Sequence, residues 1–164
     1  MISPPATATH RLAARLLATG FRHDVLAREL FDTHPFGWLP MAGAVLARAR
    51  LEPAEVGGLG LVWTECRVAD LAAHGLEQDQ AESLVDLVRT AREAEVAAVV
   101  KELSNGDRSV SVRSKGRVDV GAACTALGGG GHRFAAGFTS HAGAEETLAA
   151  LRAALVEAPR LPAE

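Results

Sequence analysis

The residues whose types and spacing could do chemistry are gathered in one stretch, Leu127-Gly-Gly-Gly-Gly-His132-Arg-Phe-Ala-Ala-Gly137-Phe138. Four consecutive glycines leave backbone N–H groups bare and open positive-φ conformations closed to other residues. Amides that converge in this way form an anion-binding nest. His132 follows at once with a ring that donates a hydrogen bond or carries a proton, and Ala135-Ala136-Gly137 keeps the facing wall small. The pattern predicts a phosphate-gripping loop. A flexible linker is the competing reading, but linkers mix Gly with Ser or other polar residues. This run is instead wedged between an apolar helical pattern and an apolar strand pattern. No Gly-Lys-Ser/Thr follows, which excludes the Walker loop. Phe134 to Phe138 reads as extended where a dinucleotide fingerprint would start a helix.

Composition bounds the rest. At 164 residues, 48% of them hydrophobic and 23% charged, the chain is expected to pack one ordinary domain, or a small domain with an appendage. A net charge of −3 excludes a generally basic nucleic-acid coat, yet the charge is unevenly spread. Lys101, Arg108, Arg113, Lys115, Arg117 and Arg133 outnumber Glu102, Asp107 and Asp119 in the segment that holds the glycine run. That local excess favours a small anionic ligand over a long polymer. Cys66 and Cys124 lack zinc-finger neighbours, and Cys124, in an apolar helical pattern, is expected to be a buried packing residue. No apolar run approaches the ~20 residues of a membrane span, and no signal peptide is visible, so a cytoplasmic location is the expectation.

The elements that must position these residues follow from periodicity. His10 to Thr19 reads as a helix stopped by Gly20, and Asp24 as the cap of a second helix that Pro35 ends. Met41 to Arg48 reads as a third, opened by Pro40. Ala49–Leu51 and Leu59–Thr64 are short strand candidates, Val68–His74 a short helix, and Asp79–Arg92 the clearest amphipathic helix, with Leu84, Leu87, Val88 and Ala91 as its stripe. Val96–Leu103 and Arg108–Lys115 read as a hairpin turned by Asn105-Gly106. In the second strand Val110 and Val112 fall on one face, and Ser109, Ser111, Arg113 and Lys115 on the other. An apolar back with a hydroxyl-and-guanidinium front suits phosphate, although an ordinary half-buried strand looks the same. Asp119 caps a helix over Val120–Leu127, Phe134–Thr139 is a strand, Ala144–Val156 closes the domain, and Pro159–Glu164 is read as a frayed tail. The fold class expected is α/β: a mixed central β-sheet flanked by helices and preceded by a short helical linker.

The ordered set of Arg113-Ser114 at a strand end, Gly128-Gly-Gly-Gly-His132-x-x-Ala-Ala-Gly137 and a closing helix resembles the type-1 DHH-associated domain, the C-terminal half of DHH-family phosphoesterases. Ser83-Leu-Val-Asp-Leu-Val-Arg89 is similar to the helix before the central hairpin in oligoribonuclease-type members, and His34-Pro-Phe-Gly-Trp38 to an actinobacterial connecting segment. The resemblance implies residues 1–48 as the tail of a DHH domain and its connecting helices, 49–157 as the substrate-binding domain and 158–164 as the tail. It implies that Arg113 and Ser114 contact substrate phosphate or sugar, and that Gly129, Gly130, Gly131 and His132 hold the terminal phosphate. Arg133, where many relatives have proline, either adds a cationic contact or faces water.

The same resemblance implies a parent enzyme that uses Mn²⁺ to hydrolyse short oligoribonucleotides, adenosine 3′,5′-bisphosphate or linear and cyclic dinucleotides. No Asp-His-His or Asp-x-Asp occurs in the sequence. The metals, and the catalytic residues with them, are therefore expected in the chain's own N-terminal DHH domain, and this chain alone is expected to be inactive. The expected partners are that domain, a short RNA or nucleotide substrate, and a second copy of the chain if the apolar helices before residue 48 dimerise. The competing expectation is a stand-alone module that binds nucleotides or an RNA end without hydrolysing them.

Overall fold

The computed structural model describes residues 4–162. They divide into two compact units, one ending at Pro35 and one beginning at Phe36. The first unit holds helices α1 (Pro4–Leu17) and α2 (His23–Phe31). Gly20, with φ +82, ends the first helix region as expected. Asp24 is not the cap of α2. It lies inside the first turn, where its carboxylate pairs with both ends of the Arg22 guanidinium at 2.5 and 2.8 Å and suits the positive end of the helix dipole. That guanidinium holds the Asp24 carboxyl below the usual carboxylate range. Leu12, Leu16, Val25, Leu26, Leu30 and Phe31 are all exposed.

The second unit is a six-stranded sheet in the order β1-β2-β3-β4-β6-β5. Its strands are β1 (Arg50–Glu52), β2 (Leu61–Cys66), β3 (Val96–Glu102), β4 (Arg108–Ser114), β5 (Gly130–His132) and β6 (Ala135–Ser140). Only β2 and β3 pair in parallel. A parallel pair needs a long crossover, supplied here by α5 (Val68–Ala72), a 3-10 turn (Gln78–Ala81) and α6 (Leu84–Val88). The expected α/β architecture is borne out. The compact unit starts before residue 49, because α3 (Trp38–Leu46) contributes Trp38, Met41, Ala42 and Val45 to its core. The two faces of the sheet carry two cores. Val96, Ala98, Val100, Val110, Val112 and Phe138 pack under α7 (Val120–Ala126) and α8 (Ala144–Glu157). Val62, Ala97 and Val99 pack under α3, α5 and α6.

Residues 79–92 do not form one helix. Glu77 and Gln80 close a capping box on the 3-10 turn, and the carbonyl of Gln80 accepts the Trp38 indole N–H at 2.9 Å. The buried stripe is Ala81, Leu84, Val85 and Val88, while Leu87 faces out. Tertiary packing of Trp38 thus overrides the local helical period. Nor do residues 158–162 fray. Arg160 donates to the carbonyls of Leu155, Ala158 and Val56, and the Leu161 amide donates to Arg117. Between β1 and β2, the turn α4 (Glu55–Gly58) holds Val56 in the left-handed region at φ +59, an outlier for a β-branched residue.

The edge strand β1 is fastened to α8 by one carboxylate. Glu52 accepts from Arg152 at 2.7 and 2.9 Å and from the Trp63 indole at 2.8 Å. The Arg152 hydrogen bonds lower the Glu52 carboxyl below its ordinary range, against the opposing effect of partial burial. A carboxyl lowered on folding stabilises above the unfolded range and loses that contribution as pH falls through the folded value. Glu52→Gln is therefore expected to cost about 1.5 kcal/mol at neutral pH. The gap to the unsubstituted chain should narrow below about pH 4, as thermal melts over a pH series would show. Among the described residues no helix is long and apolar enough to cross a membrane. Cys66 and Cys124 are buried and unpaired, and burial pushes both thiols up to about 11, which leaves them unreactive packing groups.

Candidate functional site

The glycine run does not form a free nest of amides. Its first two N–H groups close the end of α7, Gly128 donating to Thr125 and Gly129 to Cys124. Gly130, Gly131 and His132 form edge strand β5, paired with Gly137, Ala136 and Ala135. The glycines are required by close backbone approach. A Cβ at Gly129 would lie 2.1 Å from the Gly137 carbonyl oxygen, and one at Gly131, where φ is +140, would lie 2.6 Å from that of Ala135.

Register then assembles a site across three strands. Arg113 stands opposite Ala135, which stands opposite His132; Ser111 stands opposite Gly137, which stands opposite Gly130. Directly paired residues share a face. Arg113 and His132 therefore flank a floor of Ala135, Gly137 and Gly130, about 10 Å apart across two strand spacings. The floor belongs to the face whose other half is covered by α3, α5 and α6, while over β4, β6 and β5 it lies open. The open part is a trough of about 640 Å³ lined by Ser109, Ser111, Arg113, Gly128, Gly129, Gly137, Thr139 and His141, with Lys101 and Glu82 at its wall. Arg113 donates to the Val112 carbonyl at 3.1 Å and lies 3.8 Å from Asp86. The lining presents a guanidinium, hydroxyls and the His141 imidazole, the last paired with Asp107 at 2.8 Å, while His132 shares the same sheet face beyond that lining. A planar or tetrahedral anion can settle there against the main chain.

Three expected site residues, Ser114, Arg133 and Gly131, lie elsewhere. Ser114 falls on the opposite face from Arg113 and is buried. Its hydroxyl donates to Glu95 at 2.9 Å and accepts the amides of Gly116 and Val118. Arg133 sits in the β5–β6 turn, its guanidinium 5.0 Å from the centre of the Phe134 ring. It lines a separate cavity of about 450 Å³ with Glu95, Ser114, Arg117 and Phe134. Gly131 alternates away from the trough face, whereas Gly129 lines the trough, and Gly130 and His132 share its face. Lys115 also leaves the polar front, donating to the Ala91 carbonyl.

Sequence reasoning counted Lys101 in the local charge excess but missed its place in the trough, where it lies opposite Ser109 after five apolar residues of β3. Its signal was the period of two: Ala97, Val99 and Lys101 share one face, so the lysine continues a core stripe into the trough. Among the described residues no three His, Cys, Asp or Glu side chains converge into a metal-binding group. No metal-dependent step is assigned to this chain.

Known proteins repeat this architecture. An exopolyphosphatase-related protein from Bacteroides fragilis is similar over 92% of this chain and 43% of its own, with a TM-score of 0.77 at 18% identity. A pGpG-specific phosphodiesterase from Vibrio cholerae is similar over 74% of this chain and 38% of its own, with a TM-score of 0.50 at 10% identity. The chain thus spans less than half the length of the solved structures it matches. At such identities the likeness is one of fold. The sequence itself carries the family: the profile described as the DHHA1 domain matches residues 64–158, from within β2 through α8, and so takes in the trough strands and the glycine run. By that match, the chain belongs to the DHHA1 domain family.

Proposed function

We propose that this chain is the substrate-binding part of a phosphoesterase and that its trough takes the phosphate of a short oligoribonucleotide, adenosine 3′,5′-bisphosphate or a linear or cyclic dinucleotide. The observation that carries the reading is the row His132, Ala135, Arg113 across β5, β6 and β4, set beside Gly130 and Gly137. An anion on that floor meets charge-assisted donors from both sides, and small residues let its oxygens approach the backbone. The solved structures of similar fold are described as an exopolyphosphatase-related protein and a pGpG-specific phosphodiesterase, in keeping with this reading. Hydrolysis, with the manganese it needs, is assigned to a DHH domain that packs against the trough. The chain's own contribution is to bind and orient the phosphate. Location in the cytoplasm belongs to the same proposal.

The test is an NMR titration of the chain with 5′-phosphorylated di-adenylate. Saturable amide shifts are expected at Ser109–Arg113 and Gly128–Gly137. Arg113→Ala should weaken binding about tenfold, near 1.5 kcal/mol, without altering the melting curve. Shifts confined to other surfaces, or unchanged affinity in the variant, would remove the trough from the proposal.

A further inference from the structure

Both cations of the trough are already held by carboxylates of one short segment. The Lys101 ammonium donates to Glu82, and the Arg113 guanidinium lies 3.8 Å from Asp86. The burial of the partners is lopsided: the Lys101 side chain is 2% exposed and that of Glu82 60%. A buried ammonium must keep a partner. A mostly solvated carboxylate, by contrast, leaves such a pair with little loss, because water replaces its share. An ion pair serving only the core would bury both members. Asp86 is 56% exposed and has a second cation, Arg89, at 3.7 Å to which it can turn. Between these acids the Ser83 hydroxyl is buried with no hydrogen-bond partner among the described residues.

Lys101 stands opposite Ser109 and Arg113 opposite Ala97, so the two cations lie about 13 Å apart along the strands. The hydroxyls of Ser109 and Ser111 line the interval. We propose that Lys101 marks a second anionic subsite, that a ligand with two separated anionic groups spans from Arg113 and His132 to Lys101, and that Glu82 and Asp86 are built-in competitors displaced by it. This rests on the reading of the trough as a nucleotide phosphate site. A ligand with one phosphate displaces one carboxylate and leaves Lys101 with Glu82. A longer one displaces both, so the trough distinguishes length through its own acids.

Titration calorimetry with adenosine monophosphate and with 5′-phosphorylated tri-adenylate tests this. Lys101→Met is expected to weaken the trinucleotide about tenfold and to leave the mononucleotide within about twofold. Glu82→Gln, at an exposed position, should tighten the trinucleotide about threefold. Equal effects of Lys101→Met on both ligands, or a trinucleotide that binds Glu82→Gln no better than the unsubstituted chain, overturn the second subsite. If Lys101→Met does not fold, Glu82→Gln alone decides. Arg113→Ala separates the two levels: if it weakens neither ligand, the trough itself is misread, whereas loss of both with no response at Lys101 or Glu82 removes only the second subsite.

Discussion

Gly129→Ala is expected to destabilise the fold by about 3 kcal/mol or more, while Gly130→Ala changes stability by less than about 0.5 kcal/mol. The added methyl at Gly129 would stand 2.1 Å from the Gly137 carbonyl oxygen and 2.5 Å from the Phe138 Cβ. Neither is the tip of a flexible side chain. Phe138 is buried in the core under α7 and α8, so relief would require moving β6 or the end of α7. At Gly130 a methyl meets nothing within 4 Å, and φ is not in the left-handed region. Urea denaturation of the two variants separates the readings of the glycine run. A loop whose glycines serve only to present amides to a ligand would give two similar, small changes.

Ser114→Ala is expected to cost about 2–3 kcal/mol of stability and to change trinucleotide affinity less than about twofold. The hydroxyl joins Glu95 to the amides of Gly116 and Val118, and Glu95 also accepts the Arg117 amide at 2.8 Å. Its removal takes a donor from a buried carboxylate and an acceptor from two amides at once. A variant as stable as the parent but unable to bind nucleotide would return Ser114 to the binding residues.

Ser114 also shows where reading the sequence succeeds and fails. Alternation along β4 places it with Val110 and Val112; the family resemblance placed it with Arg113, its neighbour in the motif. The side-chain period was the better guide here, because a strand end still obeys the pleat. Asp119 as the cap of α7, with its carboxylate accepting the Ala122 amide at 3.0 Å, was legible for a similar reason: capping is local. The strand character of Gly130–His132 was not, since glycines carry no side-chain pattern and only the register with β6 reveals it. The break at residues 79–92 was equally hidden, because it depends on Trp38, far away in sequence. Glu82 and Asp86 lie off the apolar stripe expected for residues 79–92, and their opposition to Lys101 and Arg113 exists only once the crossover is folded.

The open trough is at root a matter of connectivity. The parallel pair β2 and β3 requires a crossover, and that crossover roofs the strands it joins and reaches β4 at Arg113. The remaining strands are linked by turns, or by α7 on the opposite face, so none of their own connections covers their near side. Bare sheet here comes from topology, and, apart from Gly137, whose added Cβ would stand 2.6 Å from the Val110 carbonyl oxygen, the residues at 109, 111 and 139 decorate it without supporting a core. Such a surface is free to diversify: those positions can drift toward new ligands at little thermodynamic penalty, while the buried rows behind them stay fixed.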